Sequence, residues 1–389
     1  MDWPLYIRLS LMMFLQFAIW GAWSPVLAAR LLGPLKMSGK QTGWIYGTIF
    51  LGCIVAPLIA GQVADRWVPT QWFLAGAHLV GGVLLLLAAR KRTFWGLFGV
   101  MGLYALCYAS SLPLVNSLMF SHLTDAKAQS AGIFIWAPIA WVLAGWLLTG
   151  IRRLGKGGGE GSDCLVLAGV LSLVMGAYCL FLPHTAPAGG SWPIVEALGM
   201  LKINSVLILL IVSFVLASQL QFYFLGTARY LGDLGVQDKN VPAVMTIAQV
   251  AQTLVTLFAL GFVLKEFGFV WALAAGALAW TAMYIFYATM QKWLVIVSMA
   301  FHGIAYVLFI IVSQIFMDVK APEGAKGSAQ ALIFVVTMGF GLFLGTQFTG
   351  AIMDAFATGE GKFRWRAIYL VPCGLTLACA IVLAALFRG

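Results

Sequence analysis

Charge is what this chain has least of. Of its 389 residues, 9% are Asp, Glu, Lys or Arg, where a soluble domain carries about 25%. That scarcity excludes a string of soluble domains. Acids are rarer than bases, 13 against 23, and no Asp or Glu lies in the middle of any long apolar run. General acid–base work by paired carboxylates and carboxylate-rich metal sites therefore have no residues to use. No HExxH, GxSxG or phosphate-binding loop occurs either. The chain is not expected to be an enzyme, nor to hold a metal or cofactor. The six cysteines (53, 107, 164, 179, 373 and 379) lack metal spacing and read as reduced packing residues. No small-residue cleavage site follows the first apolar run, which reads as a retained span.

What is present is apolar length. Hydrophobic residues make up 62% of the chain, and the mean hydropathy is +0.97. Apolar runs occupy 5–32, 41–63, 71–89, 94–120, 131–151, 164–183, 204–228, 241–264, 268–289, 292–317, 327–353 and 365–387. Each approaches or exceeds the roughly 20 residues that cross a bilayer as a helix. The spacing predicts an all-α membrane protein of twelve transmembrane helices. The longest connection holds Pro187, Gly189, Gly190 and Pro193. It divides the chain into an N-terminal half (1–183), a linker (184–203) and a C-terminal half (204–389).

The halves echo one another. Leu15-Gln16-Phe17 with Gly21 returns as Leu220-Gln221-Phe222 with Gly226, a shift of 205. A shift of 198 carries Tyr108 onto Tyr306, Asn116 onto Gln314, Asp125 onto Glu323 and Ser130-Ala131 onto Ser328-Ala329. Six spans per half make the repeat parallel, and such duplication with a polar site at mid-membrane is the architecture of a secondary transporter. The net charge of +10 suits contact with anionic lipid rather than nucleic acid. Charge counting alone favours an N-terminus outside the cytoplasm. With the N-terminus cytoplasmic, only eight of the 23 Lys and Arg fall on the cytoplasmic side, against the positive-inside bias.

Polar residues within the runs fall at helical spacing, so they share faces. The first run sets Gln16 one turn from Trp20. The fifth offers Phe134, Pro138, Trp141 and Gly145; the seventh, Gln221, Phe224 and Ala228; the eighth, Met245, Gln249, Gln252 and Thr256; the tenth, His302, Tyr306, Phe309 and Ser313. Amides between aromatic plates suit a neutral, planar, hydrogen-bonding solute such as a nucleoside. A phosphorylated or carboxylated one would want Arg or Lys. Glutamines can equally tie helices together, and His78 reads as a hydrogen-bonded packing histidine. His302 is the candidate coupling residue, because histidine titrates near neutrality. A receptor of transporter shape, or a facilitator of another neutral solute such as a sugar, remains open on these residues.

Phe14-Leu15-Gln16-Phe17, Trp20-Gly21, Trp23, Gly61-Gln62-Val63-Ala64-Asp65-Arg66-Trp67, Ile135-Trp136, Ser328-Ala329-Gln330 and Gly339-Phe340-Gly341 resemble the nucleoside:proton symporter family of the major facilitator superfamily. The resemblance runs along nearly the whole chain. It implies two pseudo-symmetric six-helix halves, a lipid-embedded monomer in the plasma (inner) membrane, a cytoplasmic linker and both termini cytoplasmic. It places Gly61, Asp65 and Arg66 in a cytoplasmic gate motif between the second and third spans. It also implies a nucleoside site in which the family's glutamines fall on Gln221 and Gln249, a phenylalanine on Tyr306 and an aromatic on Trp141. The family's charged members fall on Phe134, Gln252 and Val307, its asparagine on Phe224 and a tyrosine on His302. With those charges missing, facilitated diffusion is expected, and proton symport through His302 is the alternative.

Overall fold

The computed structural model describes residues 2–66, 68–124, 126–155, 160–185, 199–321, 326–359 and 362–388, without the side chains of 57–66, 126–128, 131 and 326–328. The side chains of the expected gate residues Gly61, Asp65 and Arg66, and the linker residues 186–198, lie outside the described residues.

A bilayer offers no water to an open backbone, so each apolar run must pair its own N–H and C=O groups. The runs do so as helices. Among the described residues, ten are long and apolar enough to cross a membrane: Trp3–Leu32, Thr70–Arg90, Phe94–Ser121, Gly132–Arg153, Asn204–Asp233, Val241–Phe258, Leu260–Ala288, Lys292–Lys320, Ala329–Ala355 and Trp365–Leu386. Gly39–Arg66, 28 residues long, is the second span, and the shorter Asp163–Cys179 the sixth. The fold is an all-α bundle of twelve spans in two six-helix repeats. A small hairpin, Ala357–Gly359 against Lys362–Phe363, joins the last two.

Helix ends follow local chemistry. The Asp2 carboxylate accepts the Leu5 N–H at 3.2 Å and caps the first span, and Thr93 caps the fourth in the same way. The helix Leu260–Ala288 is broken at Gly268, so residues 260–267 prolong the eighth span past its expected end at 264 and the ninth follows the turn. The Gly268 φ of 68° and ψ of −175° is a conformation only glycine adopts without strain.

Two compact units emerge. One comprises Met1–Met37, Trp44–Gly190 and Asp238–Thr246; the other comprises Ser38–Gly43, Ser191–Gln237 and Ile247–Gly389. Within the first unit, Thr149 Oγ1 accepts the Ala243 N–H at 3.0 Å. Trp146 Nε1 donates to Thr246 Oγ1 at 3.1 Å. In the same unit, Arg152 grips Asp163 through two hydrogen bonds of 2.6 and 2.7 Å. Within the second unit, the Asp354 carboxylate accepts the backbone N–H groups of Gly39 and Lys40.

Irregular turns recur at matching places in the two repeats. The fourth span carries Pro113, and its counterpart the tenth widens into a π-helix over Tyr306–Ile311. The fifth span breaks between Phe134 and Trp136, and the eleventh widens over Val335–Gly341. Proline removes a backbone donor, and a π turn spreads one extra residue over the ladder. Each interrupts a helix that would otherwise be straight.

Candidate functional site

In the first unit the polar centre is built around Gln16, which is fully buried. Its Nε2 donates to Ser111 Oγ at 2.8 Å, and its Oε1 accepts from His78 Nε2 at 2.9 Å. Tyr108 donates to the Gln16 carbonyl at 2.7 Å, and Ser172 donates to the His78 carbonyl at 2.8 Å. Because the Gln16 oxygen can only accept, the His78 proton sits on Nε2. Four spans meet in this knot. Each end of the Gln16 amide is thus bonded to another helix, the helix-tying role open to such glutamines.

The duplicated glycines beside these glutamines allow close approach. A Cβ at Gly21 would lie 2.9 Å from the Trp141 Cα, and one at Gly226 would lie 2.8 Å from the Tyr369 hydroxyl. Trp141 is half-buried, with its ring 6.0 Å from that of Trp20. Phe134, also half-buried, ends its helix and packs 6.1 Å from Phe120.

The second unit treats its glutamine differently. Gln221 is fully buried, and among the described residues neither its Nε2 nor its Oε1 has a hydrogen-bond partner. A buried amide left unpaired costs about 1–3 kcal/mol per group. One turn along the same face, the Phe224 ring stands perpendicular to that of His302, with centroids 6.1 Å apart. His302 is buried, stacks on Tyr223 with centroids 4.0 Å apart and planes at 20°, and accepts from Trp280 Nε1 at Nδ1, 3.3 Å away. That acceptor role makes the imidazole neutral, with its proton on Nε2.

Gln249 is buried and Gln252 half-buried, one turn apart on the eighth span. Their backbone carbonyls accept from Thr253 and Thr256 at 2.9 and 2.8 Å. Thr256 therefore bonds to its own helix, as Ser313 does to Ile310. The eighth and tenth spans touch backbone to backbone at Gly303, where a Cβ would overlap the Ala248 carbonyl oxygen. Tyr306, half-buried, opens the π segment one turn beyond His302.

The second unit thus brings together Gln221, Phe224 and His302 on the seventh and tenth spans, with Gln249 and Gln252 flanking the Gly303 crossing. Tyr223 and Trp280, which hold His302, were not singled out by the sequence. No periodicity links them, since they come from different helices. Among the described residues no cluster of His, Cys, Asp or Glu could hold a metal ion.

A profile of the family described as nucleoside H+ symporter matches residues 4–389. The putative nucleoside transporter YegT of Escherichia coli K12 is 29% identical over 401 residues, covering 98% of this chain and 93% of that protein. The nucleoside permease NupG of the same organism is 25% identical, covering 99% and 96%. A crystal structure of NupG superposes with a TM-score of 0.86 over 100% of both chains. A D-xylose–proton symporter, 13% identical, superposes with a TM-score of 0.76 over 100% and 98%, which marks the fold as that of the major facilitators.

Proposed function

The chain belongs to the nucleoside H+ symporter family, and on that premise we propose that it carries nucleosides across the plasma (inner) membrane as a monomer with both termini cytoplasmic. The observation that carries the site is Gln221, wholly buried with both ends of its amide unpaired. A nucleobase edge sets a donor beside an acceptor, so it answers both ends at once and relieves the cost of leaving them bare. Gln249 and Gln252 supply further amides, and Phe224 and Tyr306 supply apolar and stacking walls. Within their own unit, Trp141 and Phe134 each offer a half-buried aromatic face, but Gln16 serves as a tie between helices.

Transport runs down the nucleoside gradient in this reading. A proton-coupled carrier needs a group inside the membrane whose protonation changes during the cycle. No Asp or Glu lies at the middle of any span. The second reading, proton symport through His302, is favoured by the family match and by the Tyr223 ring beneath the imidazole, which would stabilise an imidazolium. The deciding experiment is uridine uptake into proteoliposomes under an inward proton gradient, with the membrane potential clamped by potassium. Equilibration without accumulation supports the facilitator. Accumulation above the external concentration overturns it, and its loss in His302→Gln with exchange retained identifies the coupling residue. Binding without uptake would make the protein a receptor.

A further inference from the structure

The duplicated glutamine is locked in one half and unpaired in the other, and the repeat identifies the reason. Gln16 is held by Ser111 on the fourth span and His78 on the third. The shift of 198 sends Ser111 to Phe309. It also sends every buried position of the fourth span except Tyr108 onto a buried position of the tenth. A shift of 199 sends His78 to Ala277, and it carries every buried position from Leu74 to Ala89 onto a buried position between Leu273 and Ala288. The two residues that would lock Gln221 by repeat are therefore a phenyl ring and a methyl group, both fully buried. Neither can hydrogen-bond. Phe309 instead packs against Trp280, with centroids 6.1 Å apart, and against the backbone at Gly276.

We propose that Phe309 and Ala277 are specificity-determining residues: apolar where the first half places Ser111 and His78, they leave both ends of the Gln221 amide to the donor–acceptor edge of a nucleobase. They act through Gln221 and need not touch the substrate. The proposal rests on the reading of Gln221 as a nucleoside-binding residue. It makes the first half of the chain the built-in example of what happens when those two positions are polar.

The test is uridine binding to the purified full-length protein, with thermal unfolding of each variant to confirm the fold. Phe309→Ser restores the hydroxyl that Ser111 supplies in the first half, whereas Phe309→Ala makes the same cavity without it. Capture of one end of Gln221 should leave the Ser variant about 5- to 50-fold weaker for uridine than the Ala variant. Phe309→Thr and Phe309→Val, matched in shape, should differ in the same direction, and they decide the matter if the smaller pair does not fold. In a Gln221→Ala background the hydroxyl has nothing to capture, so the differences should vanish. Equal affinities within each pair, while Gln221→Ala alone weakens binding, overturn the proposal and leave the site assignment standing. Unchanged binding in Gln221→Ala overturns the site assignment itself, and the proposal with it.

Discussion

Replacing Gln16 by leucine keeps the volume of the side chain and removes its chemistry. Two hydrogen bonds are lost, to Ser111 and His78, each worth about 0.6 kcal/mol between membrane helices. The larger effect is the stranded partner: His78 Nε2–H stays buried with no acceptor, at about 1–3 kcal/mol. Ser111 is spared, because its hydroxyl still donates to the Tyr108 carbonyl at 2.7 Å, and Tyr108 still reaches the backbone carbonyl of residue 16. Gln16→Leu should therefore cost about 2–4 kcal/mol of folding stability. His78→Leu should cost a comparable amount by stranding the Gln16 oxygen. The double variant leaves neither orphan, so it should be more stable than the summed losses by the two penalties together, about 2–6 kcal/mol. Reversible unfolding in mixed micelles measures the cycle, and uridine affinity of the folded fraction is read alongside. Additive losses would show that the two side chains act independently. A fall in uridine affinity with Gln16→Leu would return Gln16 to the substrate site.

Gln249→Ala and Gln252→Ala should each weaken uridine binding about 5- to 150-fold, the loss of hydrogen bonds to a desolvated ligand; unchanged affinity in both would make them packing residues. Gly303→Ala sets a methyl against the Ala248 carbonyl, and forcing the eighth and tenth spans apart should lower stability by about 1–3 kcal/mol and slow uptake. Wild-type uptake and unfolding in that variant would show the crossing is slack. Asp163→Ala leaves the Arg152 guanidinium without a carboxylate, held only by its hydrogen bond to the Asp238 carbonyl, where side-chain exposures are 13% and 6%, so unfolding should reveal a loss of about 3–5 kcal/mol. A loss under 1 kcal/mol would class the pair with exposed surface bridges.

Much of the fold was legible because a bilayer imposes one length scale on every span. The twelve runs became the twelve helices, and the repeated Leu-Gln-Phe marked the duplication. Ends were less legible: the sixth run was read to 183, while its helix closes at Cys179, since apolar residues beyond a helix end look like those within it. The contrast between Gln16 and Gln221 was not legible at all. Their motifs are alike, and what separates them lies 62 and 95 residues away, at His78 and Ser111. The same holds for His302, whose face was visible from Tyr306 but whose holders, Tyr223 and Trp280, sit on other helices. The π segments left no mark in the hydropathy either, because one extra residue in a turn changes no composition.

That extra residue has a mechanical consequence. Along an α-helix each residue advances the rotation by about 100°. A surplus residue held in a wide turn is therefore stored twist. If the wide turn at Tyr306–Ile311 passes along the chain by exchanging one backbone hydrogen bond at a time, the residues it crosses swing around the axis while both ends of the helix stay put. Tyr306 stands at one edge of that turn, with His302 one helical turn before it and Ser313 just past its far edge. The tenth span can thus re-aim part of its polar face without sliding or tilting, rather as a dislocation lets a crystal shear one row at a time.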